Sequence, residues 1–224
     1  MTPTSTPSFG GSFGGWPKAA LDFFEGLEAD NSRDYWMGHK PTYDADVRAP
    51  MEALAAALEP EFGPATLFRP YRDVRFSADK SPYKTQVAAV LGDTGDGAFY
   101  VQLSADGLMT GAGLHVMTPS QVARLRSAID DERTGTQLES LVEALVGTGF
   151  EIGGEPLKTA PRGYPKDHPR IALLRYRSCF VLRRHAPGRW LHGASTIEKV
   201  RADWIAARPL VQWLQSHVGP GTVD

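Results

Sequence analysis

Apolar residues recur at helical spacing over the first third of the chain, with polar residues between them. The recurring apolar positions are Leu21, Phe24 and Leu27 in one segment and Met51, Leu54 and Leu58 in another. Intervals of three and four residues place side chains on one helix face, so both segments predict amphipathic helices. Asn31-Ser32 predicts a break between helices, because serine favours an N-cap. Pro60 and Gly63-Pro64 predict the end of the last of these helices.

The pattern changes to alternation in the middle of the chain. Over residues 99–104 apolar and polar side chains alternate, which is the periodicity of a strand with one buried face. Asp106-Gly107 favours a tight hairpin turn, and a return strand follows it. One face of that strand is predicted to carry Leu108, Thr110, Ala112, Leu114 and Val116. Together with a short buried strand at 87–91, these segments predict an antiparallel meander.

The helices of the second half are marked by the residues at their N-termini. Thr118-Pro119-Ser120-Gln121 is a capping box with proline at the first helical position. Ser195 and Glu198 have the same spacing and open the last helix, in which Pro209 predicts a kink or a break. Helices at both ends of the chain around a central meander predict an α+β fold rather than a doubly wound sheet.

Composition then narrows the class of protein. The chain has 224 residues, of which 42% are apolar and 22% charged, and this length is enough for a full hydrophobic core. No apolar run of about 18 residues and no secretory leader pattern is present, so we expect a cytoplasmic protein without membrane contact. Residues 1–15 predict a disordered tail. A single domain is expected over residues 16–219, with a frayed end over 220–224.

The net charge of −2 hides an asymmetry along the chain. Residues 69–85 contain five basic and two acidic side chains, residues 157–170 contain four and one, and residues 175–189 contain five and none. Most acidic residues therefore lie outside these three segments. Because like charges repel one another, cations that converge in the fold need carboxylate partners or a bound anion.

We interpret the first two basic segments as a candidate ligand site. The candidate residues are Arg72, Asp73, Arg75, Asp79, Lys80, Tyr83, Lys84, Arg162, Tyr164 and His168. Arginine presents a planar fork that matches phosphate or carboxylate. Tyr83 and Tyr164 would flank the ligand, while Asp73 and Asp79 would orient the arginines. These residues predict a basic cleft for a small anionic ligand, such as a phosphorylated one.

Two other functions stay open on this evidence. If Asp73 or Asp79 acts as a base or a metal ligand, the protein is a hydrolase or transferase on a phosphate-bearing substrate. If the arginines only tie loops together through Arg–Asp pairs, the protein has a structural or interaction role. The sequence indicates neither an oligomeric state nor a pathway.

Other kinds of chemistry have weaker support. The six histidines include no H-x-x-x-H pair, and we predict neither a metal nor a cofactor. Cys179 is the single cysteine, which excludes a disulfide framework, and its place in a predicted strand is typical of an inert thiol. No G-x-S-x-G elbow is present. The acidic balance and the lack of a known motif disfavour nucleic acid as a partner.

Several long motifs occur in the order found in one protein family. They are WPKAALDFFEGLEADNSRDYW at 16–36, RDVRFSADKSPYKT at 72–85, FYVQLSADGLMTGAGLHV at 99–116 and LKTAPRGYPKDHP at 157–169. The chain resembles a widespread bacterial and fungal family of conserved hypothetical proteins, known as domain of unknown function 2461. The resemblance implies an α+β domain, usually intracellular, and supplies no catalytic residues. It also implies that the loops 72–85 and 158–169 belong together.

Overall fold

Six strands form a single sheet in the computed structural model, which describes residues 12–75 and 79–221. The strands are β1 (Ala65–Leu67), β2 (Gln86–Asp93), β3 (Gly97–Ser104), β4 (Gly107–Leu114), β5 (Glu151–Ile152) and β6 (Cys179–His185). Their order across the sheet is β1-β2-β3-β4-β6-β5. Since β2, β3 and β4 are consecutive neighbours, the predicted antiparallel meander is confirmed.

Helices precede, interrupt and follow the strands, which confirms the α+β fold. They are α1 (Lys18–Ala29), α2 (Arg33–Thr42), α3 (Ala49–Phe62), α4 (Pro119–Asp130), α5 (Glu132–Gly147), α6 (Ile171–Leu174) and α7 (Ser195–His217). A π-helical segment, Tyr43–Arg48, joins α2 to α3, and a 3₁₀ turn, Arg189–His192, precedes α7. No helix within the described ranges is long and apolar enough to cross a membrane.

Polar side chains fix two of the helix starts where the sequence predicts them. Ser32 is the N-cap of α2, and its hydroxyl accepts a hydrogen bond of 3.1 Å from the backbone N–H of Tyr35. Thr118 and Gln121 form a complete capping box at the start of α4. Because each cap satisfies a backbone N–H that the helix leaves unpaired, these starts are local properties of the sequence.

Neither of two prolines ends its helix: the helix at Pro60 ends at the predicted Gly63, and the predicted kink at Pro209 stays a prediction. Pro60 lies inside α3, which continues to Phe62 and ends at Gly63 with a φ of 92°. Pro209 lies inside α7, which runs on to His217. A proline removes one intrahelical hydrogen bond, and burial of the residues around it outweighs that loss. Leu58 and Phe62 supply this burial in α3.

One further expectation near the end of a segment is wrong. Val116 does not extend the buried face of the return strand: β4 ends at Leu114, and Val116 is 76% exposed. The chain bends after Leu114 toward the Thr118 cap. The side chains beyond Leu114 therefore no longer alternate between the two faces of the sheet. The hydroxyl of Ser195 donates to the carbonyl of Trp190 over a distance of 3.4 Å, and the capping box of Ser195 and Glu198 stays a prediction.

The chain divides into two compact units. The first comprises Met1–Ala89, Gln102–Leu108 and Ala186–Lys199; the second comprises Val90–Val101, Met109–His185 and Val200–Asp224. Fully buried residues of the first unit include Trp16, Phe24, Leu27, Met51, Leu54 and Leu58. Those of the second include Leu114, Leu125, Ile129, Leu138, Trp204 and Leu214.

The predicted disordered tail, residues 1–15, lies mostly outside the described residues. In its described part, Phe13 is buried and packs edge-on against Trp16, with ring centroids 5.1 Å apart. Trp16 in turn donates its indole N–H to the carbonyl of Val47 over 3.2 Å. Phe13 therefore belongs to the buried residues of the first unit, and the predicted tail stays a prediction. Of the predicted frayed end, residues 222–224 lie outside the described part.

Candidate functional site

The first basic segment forms the end of a two-stranded ribbon in the first unit. Beyond β1 and β2, Tyr71 and Tyr83 face each other in an isolated antiparallel bridge. The backbone N–H of Arg72 donates to the carbonyl of Pro82 over 2.9 Å, and that of Lys84 donates to the carbonyl of Pro70 over 2.8 Å. The two arms, residues 69–72 and 82–84, are therefore held side by side by backbone hydrogen bonds.

An asparagine and a tryptophan anchor this ribbon to the helices of the first unit. The side chain of Asn31 donates to the carbonyl of Tyr83 over 3.1 Å and accepts from its N–H over 3.0 Å. The ring of Tyr83 stacks on Trp36, with centroids 4.4 Å apart and planes inclined by 6°. Since Tyr83 is only 6% exposed, its ring serves packing, and the ring of Tyr71 is the one that faces solvent.

Two of the candidate arginines are paired with the candidate aspartates. Arg72 forms an ion pair with Asp79. Arg75 binds Asp73 through two hydrogen bonds, Nε to Oδ1 over 2.9 Å and Nη2 to Oδ2 over 2.7 Å. Hydrogen bonds from Ser81 and the charge of Arg72 lower the pKa of the Asp79 carboxyl. Hydrogen bonds from Arg75 do the same for the pKa of Asp73. Ionised carboxylates that already hold arginines are poorly suited to act as general bases.

Other cations of the segment have no such partner. Lys80 donates to the carbonyl of Val74 over 2.9 Å. Neither Arg69 nor Lys84 forms a salt bridge with any described residue. The pKa of Lys84 is lowered by partial burial and then by the charges of Arg69 and Arg72, so these three cations lie near one another. We call Arg69, Arg72 and Lys84 the cationic cluster.

The second candidate segment belongs to the second unit. His168 hydrogen-bonds through Nε2 to Oδ1 of Asp130 over 3.1 Å and accepts at Nδ1 from the N–H of Arg170 over 3.0 Å. The ring of Tyr164 lies edge-on to His168, with centroids 6.4 Å apart, while Arg162 is exposed. Tyr164 and His168 therefore lie together. A cleft shared by this segment and residues 72–85 stays a prediction.

A buried charge cluster in the second unit is absent from the sequence-based candidates. It consists of Thr110, Arg183, His185 and Asp203. The carboxylate of Asp203 accepts from Thr110 over 2.8 Å, from Arg183 over 3.0 Å and from His185 over 2.6 Å. Thr110 and Asp203 lie 93 positions apart, so no motif spacing could reveal the cluster. The basic run 175–189, which contains Arg183 and His185, is the one feature of the sequence that points to this cluster.

An apolar cavity of about 20 Å³ lies between α4, α5 and β6 in the second unit. Its lining includes Leu125, Leu138 and Cys179. This volume holds about one water molecule, so the cavity is a packing defect rather than a ligand pocket. Burial raises the pKa of the Cys179 thiol to about 12, which makes a nucleophilic role unsuitable.

Metal chemistry finds no support in the described part of the chain. Within residues 12–75 and 79–221, no three His, Cys, Asp or Glu side chains lie together as a metal site would require. The cationic cluster itself would repel a metal ion.

The motifs that carry the family resemblance, apart from the first three residues of the motif at 16–36, lie within one matched region. The model of the conserved hypothetical proteins termed DUF2461 matches residues 19–213. The chain belongs to the DUF2461 family. This DUF2461 match includes the cationic cluster, the second basic segment and the buried charge cluster. A search of curated proteins and a search of solved structures each found no match to the chain.

Proposed function

We propose that this DUF2461 protein binds a small anionic ligand, one that bears a phosphate or carboxylate group, at the cationic cluster. The observation that carries the proposal is an unbalanced charge on an ordered ribbon. Residues 69–84 hold five basic side chains against two carboxylates, and both carboxylates are engaged by Arg72 and Arg75. Arg69 and Lys84 have no salt bridge within the described residues.

A bound anion would relieve the repulsion within the cluster. Two cations about 6 Å apart repel by roughly 3 kcal/mol at an effective dielectric near 20. The backbone hydrogen bonds at Arg72 and Lys84 hold the two arms in place, so little further ordering is needed on binding. Preorganised donors of this kind bind anions with a smaller entropy cost.

The test is thermal unfolding of the full chain in phosphate, with chloride at equal ionic strength as the reference. Ligand at about 100 times its Kd stabilises by about 2.7 kcal/mol, which raises Tm by roughly 5–10 °C for a chain of this length. We expect this rise in the native protein. The double variant Arg69→Gln, Lys84→Gln should fold but lose the rise.

The control is Arg189→Gln, which removes an exposed arginine of the first unit outside the ribbon. It should keep the full response to phosphate. Arg75→Ala is a weaker probe, because Arg75 is 76% exposed and already paired with Asp73. Unchanged Tm in phosphate, sulfate and small phosphorylated compounds would contradict the proposal.

A further inference from the structure

The two edges of the ribbon differ in what they bond. Tyr71 and Tyr83 form an antiparallel pair without hydrogen bonds between their own backbones, so the N–H and carbonyl of each point away from the opposite arm. On the outer side of Tyr83, the side chain of Asn31 bonds both groups, over 3.0 Å and 3.1 Å. Asn31 therefore takes the place that a further strand would occupy at this edge.

The opposite edge, along residues 67–71, continues the outer edge of β1, the first strand of the sheet. Inward hydrogen bonds involve the backbone of every second residue, namely Phe68, Pro70 and Arg72. Neighbouring residues of a strand bond to opposite sides, so the N–H groups of Leu67, Arg69 and Tyr71 point outward. Within the described chain, no hydrogen bond satisfies the N–H of Arg69 or Tyr71. An open edge of this kind is a template for a further strand.

A strand added to this edge would meet an exposed ring on each of its two faces. Side chains alternate along the ribbon, so Tyr71 and Phe68 project from opposite faces. Tyr71 is 49% exposed and packs against Trp36, with ring centroids 6.0 Å apart. Phe68 is 42% exposed, and the ammonium of Lys84 lies 5.3 Å from its ring centroid. The two rings therefore offer apolar contacts to the alternating side chains of an extended segment.

The charge of the edge favours an acidic segment. Arg69 lies on the edge itself, is exposed, and forms no salt bridge with a described residue. The N–H of Ala65, two residues before the open part, donates to a carboxylate oxygen of Glu59 over 3.3 Å. Acidic side chains opposite Arg69 would be attracted and basic ones repelled. A second copy of this chain is disfavoured for the same reason, because antiparallel pairing centred on residue 69 would place two arginines opposite each other.

We propose that residues 67–71 bind an acidic segment of a partner protein, which adds to the edge as an extended strand. The backbone of the segment exchanges hydrogen bonds with the outward groups of Leu67, Arg69 and Tyr71, and its carboxylates neutralise Arg69. This inference goes beyond the small-ligand proposal, because its hydrogen bonds come from the backbone. A small anion at the cationic cluster would leave the edge unpaired.

The test is titration calorimetry of the full chain with three blocked heptapeptides. The first alternates glutamate and valine, the second is the same peptide with methyl groups on its central backbone nitrogens, and the third has lysine in place of glutamate. We expect the first peptide to bind at least about tenfold more tightly than the methylated one, which loses two or more net hydrogen bonds. The lysine peptide should also bind at least about tenfold more weakly than the first, because Arg69 repels it.

Amide hydrogen exchange of the ¹⁵N-labelled protein gives a residue-by-residue readout. Saturation with the first peptide should slow exchange at Arg69 and Tyr71 by at least about tenfold, while Phe68 and Arg72, whose N–H groups are already bonded, keep their rates. Arg69→Pro removes an outward N–H together with the charge, and Arg69→Gln removes the charge alone. The folded proline variant should bind about fivefold more weakly than the glutamine variant. Arg189→Gln, outside the ribbon, should bind as the native protein does.

Each contrary result overturns the inference in a distinct way. Equal affinity for the methylated peptide would exclude strand pairing, and equal affinity for the lysine peptide would exclude an acidic partner. Protection of the Arg69 and Tyr71 amides that rises with protein concentration and needs no peptide would assign the edge to a second copy of the chain. No binding of the first peptide, with the phosphate-dependent rise in Tm intact, would overturn this inference and leave the proposed function in place. Peptide binding without any response to phosphate would do the reverse.

Discussion

His185 and Asp203 share a hydrogen bond of 2.6 Å between Nε2 and Oδ2 inside the second unit. Their side chains are only 10% and 3% exposed. Thr110 donates to the same carboxylate oxygen, and Arg183 binds the other one. A carboxylate with three hydrogen-bond donors is well compensated for burial, so the cluster joins β4, β6 and α7 at one point.

The first prediction concerns the loss of this carboxylate. Asp203→Asn keeps the shape of the side chain but leaves Arg183 and His185 without their anionic partner. Breaking a buried ion pair from one side costs about 3 kcal/mol or more, which lowers Tm by roughly 6–12 °C for a chain of this length. Thermal denaturation of both proteins at pH 7 measures this decrease in Tm. Asp167→Asn, at an exposed position, should leave Tm unchanged, and equal stability of both variants would contradict the prediction.

The second prediction is a pH dependence that arises from the same residue. Burial raises the pKa of Asp203, but hydrogen bonds from His185 and Thr110 and the charges of His185 and Arg183 lower it by more. The pKa of Asp203 is therefore below its usual value. With a folded pKa below the unfolded value of about 3.9, the carboxylate stabilises the fold above that pH. This contribution disappears as the pH falls through the folded pKa. The free energy of unfolding should therefore drop less between pH 5 and pH 2 in Asp203→Asn than in the native protein.

The third prediction concerns Arg170, which is 4% exposed. Its guanidinium donates to the carbonyl of Ile129 over 2.7 Å and to that of Asp130 over 3.2 Å, at the end of α4. Arg170→Met leaves these carbonyls without a donor, at a cost of about 2–4 kcal/mol. Urea unfolding measures this loss. Arg162→Met, at an exposed arginine eight positions earlier, should change stability by less than about 0.5 kcal/mol.

The sequence predicts those parts of the fold that local interactions decide. The Thr118 capping box and the Ser32 cap needed no knowledge of the rest of the chain. The continuation of α3 past Pro60 and of α7 past Pro209 depends instead on tertiary burial. Local propensity cannot include that burial, so a proline in the sequence does not by itself fix where a helix ends.

The candidate site was visible from the sequence to a smaller extent. The pairing of Arg72 with Asp79 occurs within one loop, where the sequence analysis expects the two aspartates to orient the arginines. Tyr71 is not among the candidate residues, because its contact with Tyr83 depends on a bridge between two segments that no local pattern shows. The contact of Thr110 with Asp203 joins distant strands and helices, and a single sequence holds no record of such contacts.

The fourth prediction concerns the reactivity of Cys179. A thiol with a pKa of about 12 is almost entirely protonated at pH 8, and only the thiolate attacks a disulfide reagent. The native protein should react with an aromatic disulfide reagent at least about tenfold more slowly than the chain in denaturant, because the stronger nucleophilicity of a less acidic thiolate offsets only part of its scarcity. Because Cys179 is the single cysteine, the absorbance of the released thiolate reports on it alone. Equally fast labelling of the native and denatured chains would contradict the assigned burial.

The fifth prediction tests the packing of β4 against β6. Gly113 has a φ of 127°, and a Cβ atom built on it would lie 2.3 Å from the carbonyl oxygen of Cys179 and 2.7 Å from Cα of Phe180. These are backbone atoms of the neighbouring strand, so they cannot move aside as a flexible side chain would. Gly113→Ala should therefore cost at least about 3 kcal/mol, through both strain and separation of the strands.

Gly147→Ala provides the matched control for this substitution. Gly147 is the last residue of α5, and a Cβ atom there would meet nothing within 4 Å. Alanine at this position should stabilise the protein by about 0.5 kcal/mol, because it restricts the unfolded chain. Chemical denaturation of the two variants should thus move the midpoint in opposite directions. If Gly113→Ala unfolds at the same denaturant concentration as Gly147→Ala, the close approach of β4 to β6 is incorrect.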